Sequence, residues 1–94
     1  MVSIIVCTLH REVLLKRCLQ SIAAARPNEY GIQEVIVVDN GTDLHTAGVV
    51  SKLQAQYPVA LVYTRENQMG LSFARNKGAL TSKGTWLFFL DDDG

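Results

Sequence analysis

Asp91, Asp92 and Asp93 stand in a row, behind the apolar run "TWLFFL" (85–90) and ahead of Gly94. Three adjacent carboxylates repel one another unless a cation or a proton intervenes. Along an extended chain side chains alternate, so Asp91 and Asp93 are expected on one side and Asp92 on the other. An Asp-x-Asp pair can offer two oxygen ligands to one hard divalent cation. Mg²⁺ and Mn²⁺ favour carboxylate, water and phosphate oxygens. A metal so held would bridge to a diphosphate, neutralise it and ease departure of a phosphate leaving group. The plain reading is a solvated acidic turn that closes a strand. The string also matches the opening of an EF-hand loop, but no helix precedes it and the closing Glu is missing.

Asp39, in "VVDNG", has two readings. It can close a strand with an Asx-turn, or it can accept hydrogen bonds from a nucleotide's ribose or base, as acidic residues at the end of a second strand do in dinucleotide folds. Those folds also carry a glycine-rich turn after the first strand. This sequence has "CTLHRE" there, so a metal rather than a glycine loop would have to hold phosphates. Arg75, in "GLSFARNKG", neighbours a helix face of Leu71, Ala74 and Gly78. It is either solvated, ion-paired with Glu66, or a cation that reaches a ligand. Lys77 and Lys83 read as solvent charges. His10 and His45 lie in loops without a second ligand at metal-like spacing. Cys7 and Cys18 read as buried free thiols; a disulfide or a reactive thiol is the other possibility.

The elements that must position these residues follow from periodicity. "SIIVCT" (3–8), "EVIVV" (34–38), "VALVY" (59–63) and "TWLFFL" are short β-branched or aromatic runs, as in strands covered on both faces. Leu15, Leu19 and Ile22 mark an amphipathic helix over 12–25, which Pro27, Asn28 and Gly31 end. Val49, Val50 and Leu53 mark a weaker helix that Pro58 stops. A third helix is expected from Leu71 to Thr81, its small face able to lie close to a neighbour. Trp86, Phe88 and Phe89 read as core. Alternating strands and helices predict one α/β domain over residues 1–94: three layers around a mostly parallel sheet with right-handed crossovers. If the first strand lies between the second and the fourth, the order is 3-2-1-4. The crevice where strand order reverses then takes the ligand. Thr8, Asp39 and the aspartate triplet all fall at carboxyl ends of strands.

Composition narrows the function classes. The 94 residues are 48% hydrophobic with zero formal net charge, which fits a folded core and gives no basic face for nucleic acid. No apolar stretch reaches the roughly 18–20 residues of a membrane span, and the N-terminus lacks the basic start of a signal peptide. A cytoplasmic protein is the expectation.

Taken in order, "VSIIVCTLHR", "CLQSI", "EVIVVDNGTD", "ENQMGLSFARNKG" and "WLFFLDDDG" resemble the N-terminal half of a family 2 glycosyltransferase of the Rossmann-like GT-A fold, over essentially the whole chain. The resemblance implies a nucleotide-diphosphate-sugar donor (UDP-, GDP- or dTDP-linked), a Mn²⁺ or Mg²⁺ ion, and transfer to an acceptor hydroxyl on a glycan, lipid or polysaccharide. By it, Thr8 and its neighbour Leu9 line the nucleoside pocket, and Asp39 hydrogen-bonds the base, commonly uracil. Arg75 lies near the nucleotide. Asp91 and Asp93 match the ends of the DxD motif. Asp93 is the more direct metal ligand, while Asp91 and Asp92 contact ribose or metal-bound water. Where many members have Tyr-Asn after the Thr, this sequence has Leu9-His10, which weakens base stacking.

The resemblance also puts the acceptor site and catalytic base beyond the DxD motif, where this sequence has no residues. The expectation is therefore a donor-binding fragment that does not complete transfer alone. Its parent could be membrane-associated, and its apolar fourth strand forms an edge that self-association would cover. Two other readings stay open. A nucleotidyltransferase also uses carboxylates and Mg²⁺, but places a glycine-rich basic loop after the first strand. A receiver-like phospho-acceptor module places its acidic pair after the first strand, where Thr8 stands here.

Overall fold

The computed structural model describes residues 1–42 and 44–91, Asp91 by its backbone alone. Four strands alternate with three helices: β1 (Val2–Thr8), α1 (Glu12–Ala24), β2 (Ile32–Asp39), α2 (His45–Gln54), β3 (Ala60–Arg65), α3 (Leu71–Thr81) and β4 (Trp86–Asp91). The sheet order is β3-β2-β1-β4 and every neighbouring pair is parallel. The expected fold class and strand order are therefore those observed. The largest shifts at strand ends are at β2, which starts two residues earlier than its apolar run, and β3, which ends two residues later. One local feature was not anticipated. Pro27 does not merely follow α1; it is buried and opens a single 3₁₀ turn, Pro27–Tyr30, in the link to β2.

Alternation along β1 and β2 divides the core in two. Ile4, Val6, Val35 and Val37 face α1 and α2, where they meet Leu15, Leu19, Ile22 and Val50. Ile5, Ile36 and Val38 face α3 and meet Ala74. The two central strands are thus covered on both sides, which is why their sequences are unbroken apolar runs rather than alternating ones. Cys7 and Cys18 are not joined in a disulfide and lie at the margins of these cores, half-buried rather than buried as expected.

The third helix lies against the sheet as closely as its small residues suggested. A Cβ on Gly78 would come within 2.4 Å of Ile5 Cγ2 and 3.2 Å of Val38 Cγ2, so only glycine fits without displacement. Leu71, expected on the same face, is 49% exposed. The reason lies in where the helix starts. Gly70 is hydrogen-bonded to Asn40, one residue past the end of β2. The first residue of α3 therefore lies beyond the rim of the sheet.

Trp86, Phe88 and Phe89, expected as core, are 69%, 59% and 41% exposed in this 94-residue chain. β4 is an edge strand, paired on one side only with β1. At its amino end a buried carboxylate secures the entry. Glu34 Oε2 accepts from Ser3 Oγ (2.5 Å) and from the Lys83 amide (2.7 Å). This charged residue was read only as the start of a strand.

Tyr57 clips the α1 side, its hydroxyl donating to the Leu19 carbonyl at 2.7 Å. Burial, and to a lesser extent Cys18, raises its pKa well above the ordinary tyrosine value. Its contribution to stability is then fully present below about pH 10, the unfolded value, and is lost as pH rises toward the folded one. Tyr57→Phe is expected to cost about 1 kcal/mol at pH 7, the worth of one hydrogen bond. It should also flatten the alkaline fall in stability. Urea denaturation at pH 7 and above pH 10 measures both.

Candidate functional site

Parallel register gathers the strand ends at one rim. Thr8 is opposite Asp39 across β1 and β2, Cys7 is opposite Asp91 across β1 and β4, and Asp39 is opposite Arg65 across β2 and β3. The ends of β2 and β4 therefore open on the same side of the sheet, flanking β1. The side chain of Asp91, and Asp92 and Asp93 altogether, lie outside the described residues. Among the described residues no group of three or more His, Cys, Asp or Glu is placed to hold a metal ion.

Asp39 is the best-defined member of this rim. It is 1% exposed. Its Oδ1 accepts the Gly41 amide at 2.8 Å, so the Asx-turn is formed. Its Oδ2 accepts the Tyr63 hydroxyl at 2.6 Å. Each carboxylate oxygen keeps a second lone pair, so these bonds do not exhaust it as an acceptor. Thr8 is 3% exposed, and its carbonyl accepts the Asn40 amide at 2.9 Å. Leu9, just beyond, is 41% exposed.

His10 sits closer to this centre than a loop position suggested. Its backbone is left-handed, φ 51°. A Cβ on Gly41 would lie 3.0 Å from both His10 Cε1 and Asp39 Oδ1. The imidazole thus lies against the turn that Asp39 closes, and Gly41 is the residue that lets it approach. Nothing in the spacing of "TLHRE" and "VDNGT" announces this contact, because it depends on β1 and β2 ending level. Arg65 adds a cation to the same turn, Nη2 donating to the Gly41 carbonyl at 2.7 Å.

Asn40 was overlooked by sequence reasoning and holds the neighbouring loop. Its Nδ2 donates to the carbonyls of Glu66 (2.8 Å) and Gln68 (2.9 Å), and its Oδ1 accepts the Gly70 amide (3.1 Å). One side chain therefore fixes the whole approach to α3 against the end of β2. Asn40→Ala is expected to destabilise this loop by about 2 kcal/mol, given roughly 0.5–1.5 kcal/mol net per hydrogen bond. Amide exchange at Gly70 should accelerate by about 30-fold, while the core strands stay protected. Hydrogen-exchange NMR distinguishes this from global unfolding.

Arg75 is exposed, and its guanidinium carbon lies 5.8 Å from the centre of the Phe89 ring. This cation–π contact sets it over β4, on the sheet face that α3 covers. Phe89 is two residues before Asp91. Of the expected site residues, the structure brings Thr8, Asp39 and the backbone of Asp91 to one rim and sets Arg75 over Phe89, two residues before the end of β4.

An open parallel sheet of order 3-2-1-4 with its polar strand ends on one rim is the build of the doubly wound α/β folds. Within that class, the chain belongs to glycosyl transferase family 2, which it matches over residues 3–94. It is 39% identical over 93 residues to an uncharacterized glycosyltransferase of Haemophilus influenzae, covering 99% of this chain and 29% of that protein. It is 32% identical over 93 residues to a PGL/p-HBAD biosynthesis glycosyltransferase of Mycobacterium bovis, covering 99% of this chain and 35% of that one. The chain thus spans about a third of the length of these relatives. Among solved structures it superposes on a mannosyltransferase of Pyrobaculum calidifontis in complex with GDP-Man and Mn²⁺, with a TM-score of 0.79. That match is 24% identical and covers 98% of this chain and 27% of the other, a likeness of GT-A fold. No helix among the described residues is long and apolar enough to cross a membrane.

Proposed function

We propose that this chain is the donor-binding region of a glycosyltransferase, taking a nucleoside-diphosphate sugar whose sugar passes to an acceptor hydroxyl on a glycan, lipid or polysaccharide. The observation that carries the reading is the shared rim: β1, β2 and β4 end side by side, with Asp39 on one flank and Asp91 on the other. The base and ribose would lie toward Asp39, with Thr8 and Leu9 below them, and Arg75 would face the nucleotide from α3. A Mn²⁺ or Mg²⁺ ion held by Asp91 and Asp93 would neutralise the diphosphate, with Asp92 on ribose or metal-bound water. The acidic triplet supplies hard oxygen donors suited to such an ion. That a structural relative holds GDP-Man and Mn²⁺ supports the same assignment. The protein's own residues bind and orient the donor.

Calorimetric titration of the chain with UDP-, GDP- and dTDP-sugars, each with and without Mn²⁺, tests the reading. Binding of one nucleotide class, strengthened by metal, is expected. In Asp93→Ala the metal should add nothing while residual binding persists. Failure of all three donors to bind with metal present would remove the proposal.

A further inference from the structure

We propose, resting on the donor-site reading above, that His10 is the gate of that site: its imidazole closes on the Asp39–Gly41 turn in the unliganded chain and swings off it when a nucleoside reaches Asp39. Asp39 is 1% exposed, yet a group that bonds to it must come within about 2.9 Å of a carboxylate oxygen. The burial is set within these 94 residues, so the cover that has to move belongs to the chain itself. Among the described residues, Tyr63, Arg65 and His10 bring side chains to this carboxylate or to its turn. Tyr63 donates its hydroxyl to Oδ2 at 2.6 Å, and Arg65 Nη2 donates to the Gly41 carbonyl at 2.7 Å. His10 stands at the other carboxylate oxygen. The point 3.0 Å from Oδ1 where a Gly41 Cβ would lie is also 3.0 Å from His10 Cε1 and 3.3 Å from Nδ1. The imidazole edge therefore borders the approach to Oδ1.

Of these three side chains, His10 is the one placed to move. Tyr63 and Arg65 are half-buried residues of β3, and Tyr63 also packs against the core beneath α1 and α2. Displacing either disturbs the sheet. His10 belongs to no helix or strand and is itself exposed. Its ring can leave the turn by rotation about its own side-chain bonds, a fast event for an exposed residue. Its backbone, at φ 51°, is left-handed, a region in which His, Asn and Asp are several-fold enriched. The turn is shaped to receive the ring: Gly41 is buried and has no Cβ where the ring edge lies. A closed gate lowers apparent affinity by the fraction of chains that are open. With about 10% of chains open, the reduction is about tenfold.

NMR of the unliganded 94-residue chain should show a nuclear Overhauser contact between His10 Hε1 and Gly41 Hα. Saturation with whichever of the UDP-, GDP- and dTDP-sugars binds in the presence of Mn²⁺ should abolish it. His10→Asn and His10→Gly both suit a left-handed backbone and remove the ring. Each should tighten donor binding by about three- to tenfold in calorimetry, with the stopped-flow association rate rising to match. A measurement without donor stands beside these. The Gly41 amide, bonded to Asp39 Oδ1, should exchange about tenfold faster in His10→Gly while the core strands keep their protection. The gate is overturned by an unliganded chain that lacks the His10–Gly41 contact, or by a contact that survives donor saturation. Variants that bind no tighter than wild type, or unchanged Gly41 exchange, overturn it equally. A wild-type chain that binds no donor removes the donor-site reading and the gate with it, whereas donor binding that both variants leave unchanged removes the gate alone.

Discussion

Asp39→Ala is expected to lower donor affinity by about 10–100-fold, the loss of one hydrogen bond to a charged acceptor worth roughly 1.5–3 kcal/mol. It should also lower stability by about 3 kcal/mol. The carboxylate is buried and accepts both the Tyr63 hydroxyl and the Gly41 amide. Removing it leaves two donors without their acceptor, each at roughly 1–3 kcal/mol. The two losses must be separated, because an unfolded site also fails to bind. Tyr63→Phe separates them. It deletes one of the two bonds but keeps the charge and the Asx-turn, so it should cost about 1 kcal/mol while affinity stays within about threefold. Calorimetry gives affinity and urea denaturation gives stability. If Tyr63→Phe loses as much affinity as Asp39→Ala, the Tyr63–Asp39 hydrogen bond, and not a direct contact of the carboxylate with the nucleotide, carries the effect.

The second large effect lies away from the rim. Gly78→Leu should destabilise the fold by about 3 kcal/mol, the upper part of the range for overpacking. In a domain of this size that lowers Tm by roughly 12–24 °C. The cause is the 2.4 Å approach between a Gly78 Cβ and Ile5 Cγ2. Gly78→Ala meets the same atom, but alanine's helix propensity offsets about 1 kcal/mol, so the net loss should be smaller. Ile5→Ala, alone, opens a cavity and should cost about 2–5 kcal/mol. Combined, Ile5→Ala and Gly78→Ala should cost about 1–2 kcal/mol less than the sum, since each relieves the other. Simple additivity by thermal denaturation would show that α3 can move off the sheet freely.

What the sequence determined by itself was the list of elements and their order. Unbroken β-branched runs such as "EVIVV" and the spacing of Leu15, Leu19 and Ile22 report burial directly, because a covered strand or helix face must be apolar at each contact. The small residues Ala74 and Gly78 likewise announced a close helix. Asp39 was legible because a carboxylate at the end of an apolar run is chemically conspicuous. Only tertiary structure decided which apolar residues stay uncovered and which polar ones are spent on the fold. "TWLFFL" reads as core, yet Phe88 is exposed, because burial depends on what lies beside a strand and not on the strand's own composition. Asn40 and His10 carried no signal, since their partners lie 26–30 residues away for Asn40 and across a strand pair for His10. Such contacts exist only once parallel pairing has set β1, β2 and the loop before α3 level at one rim.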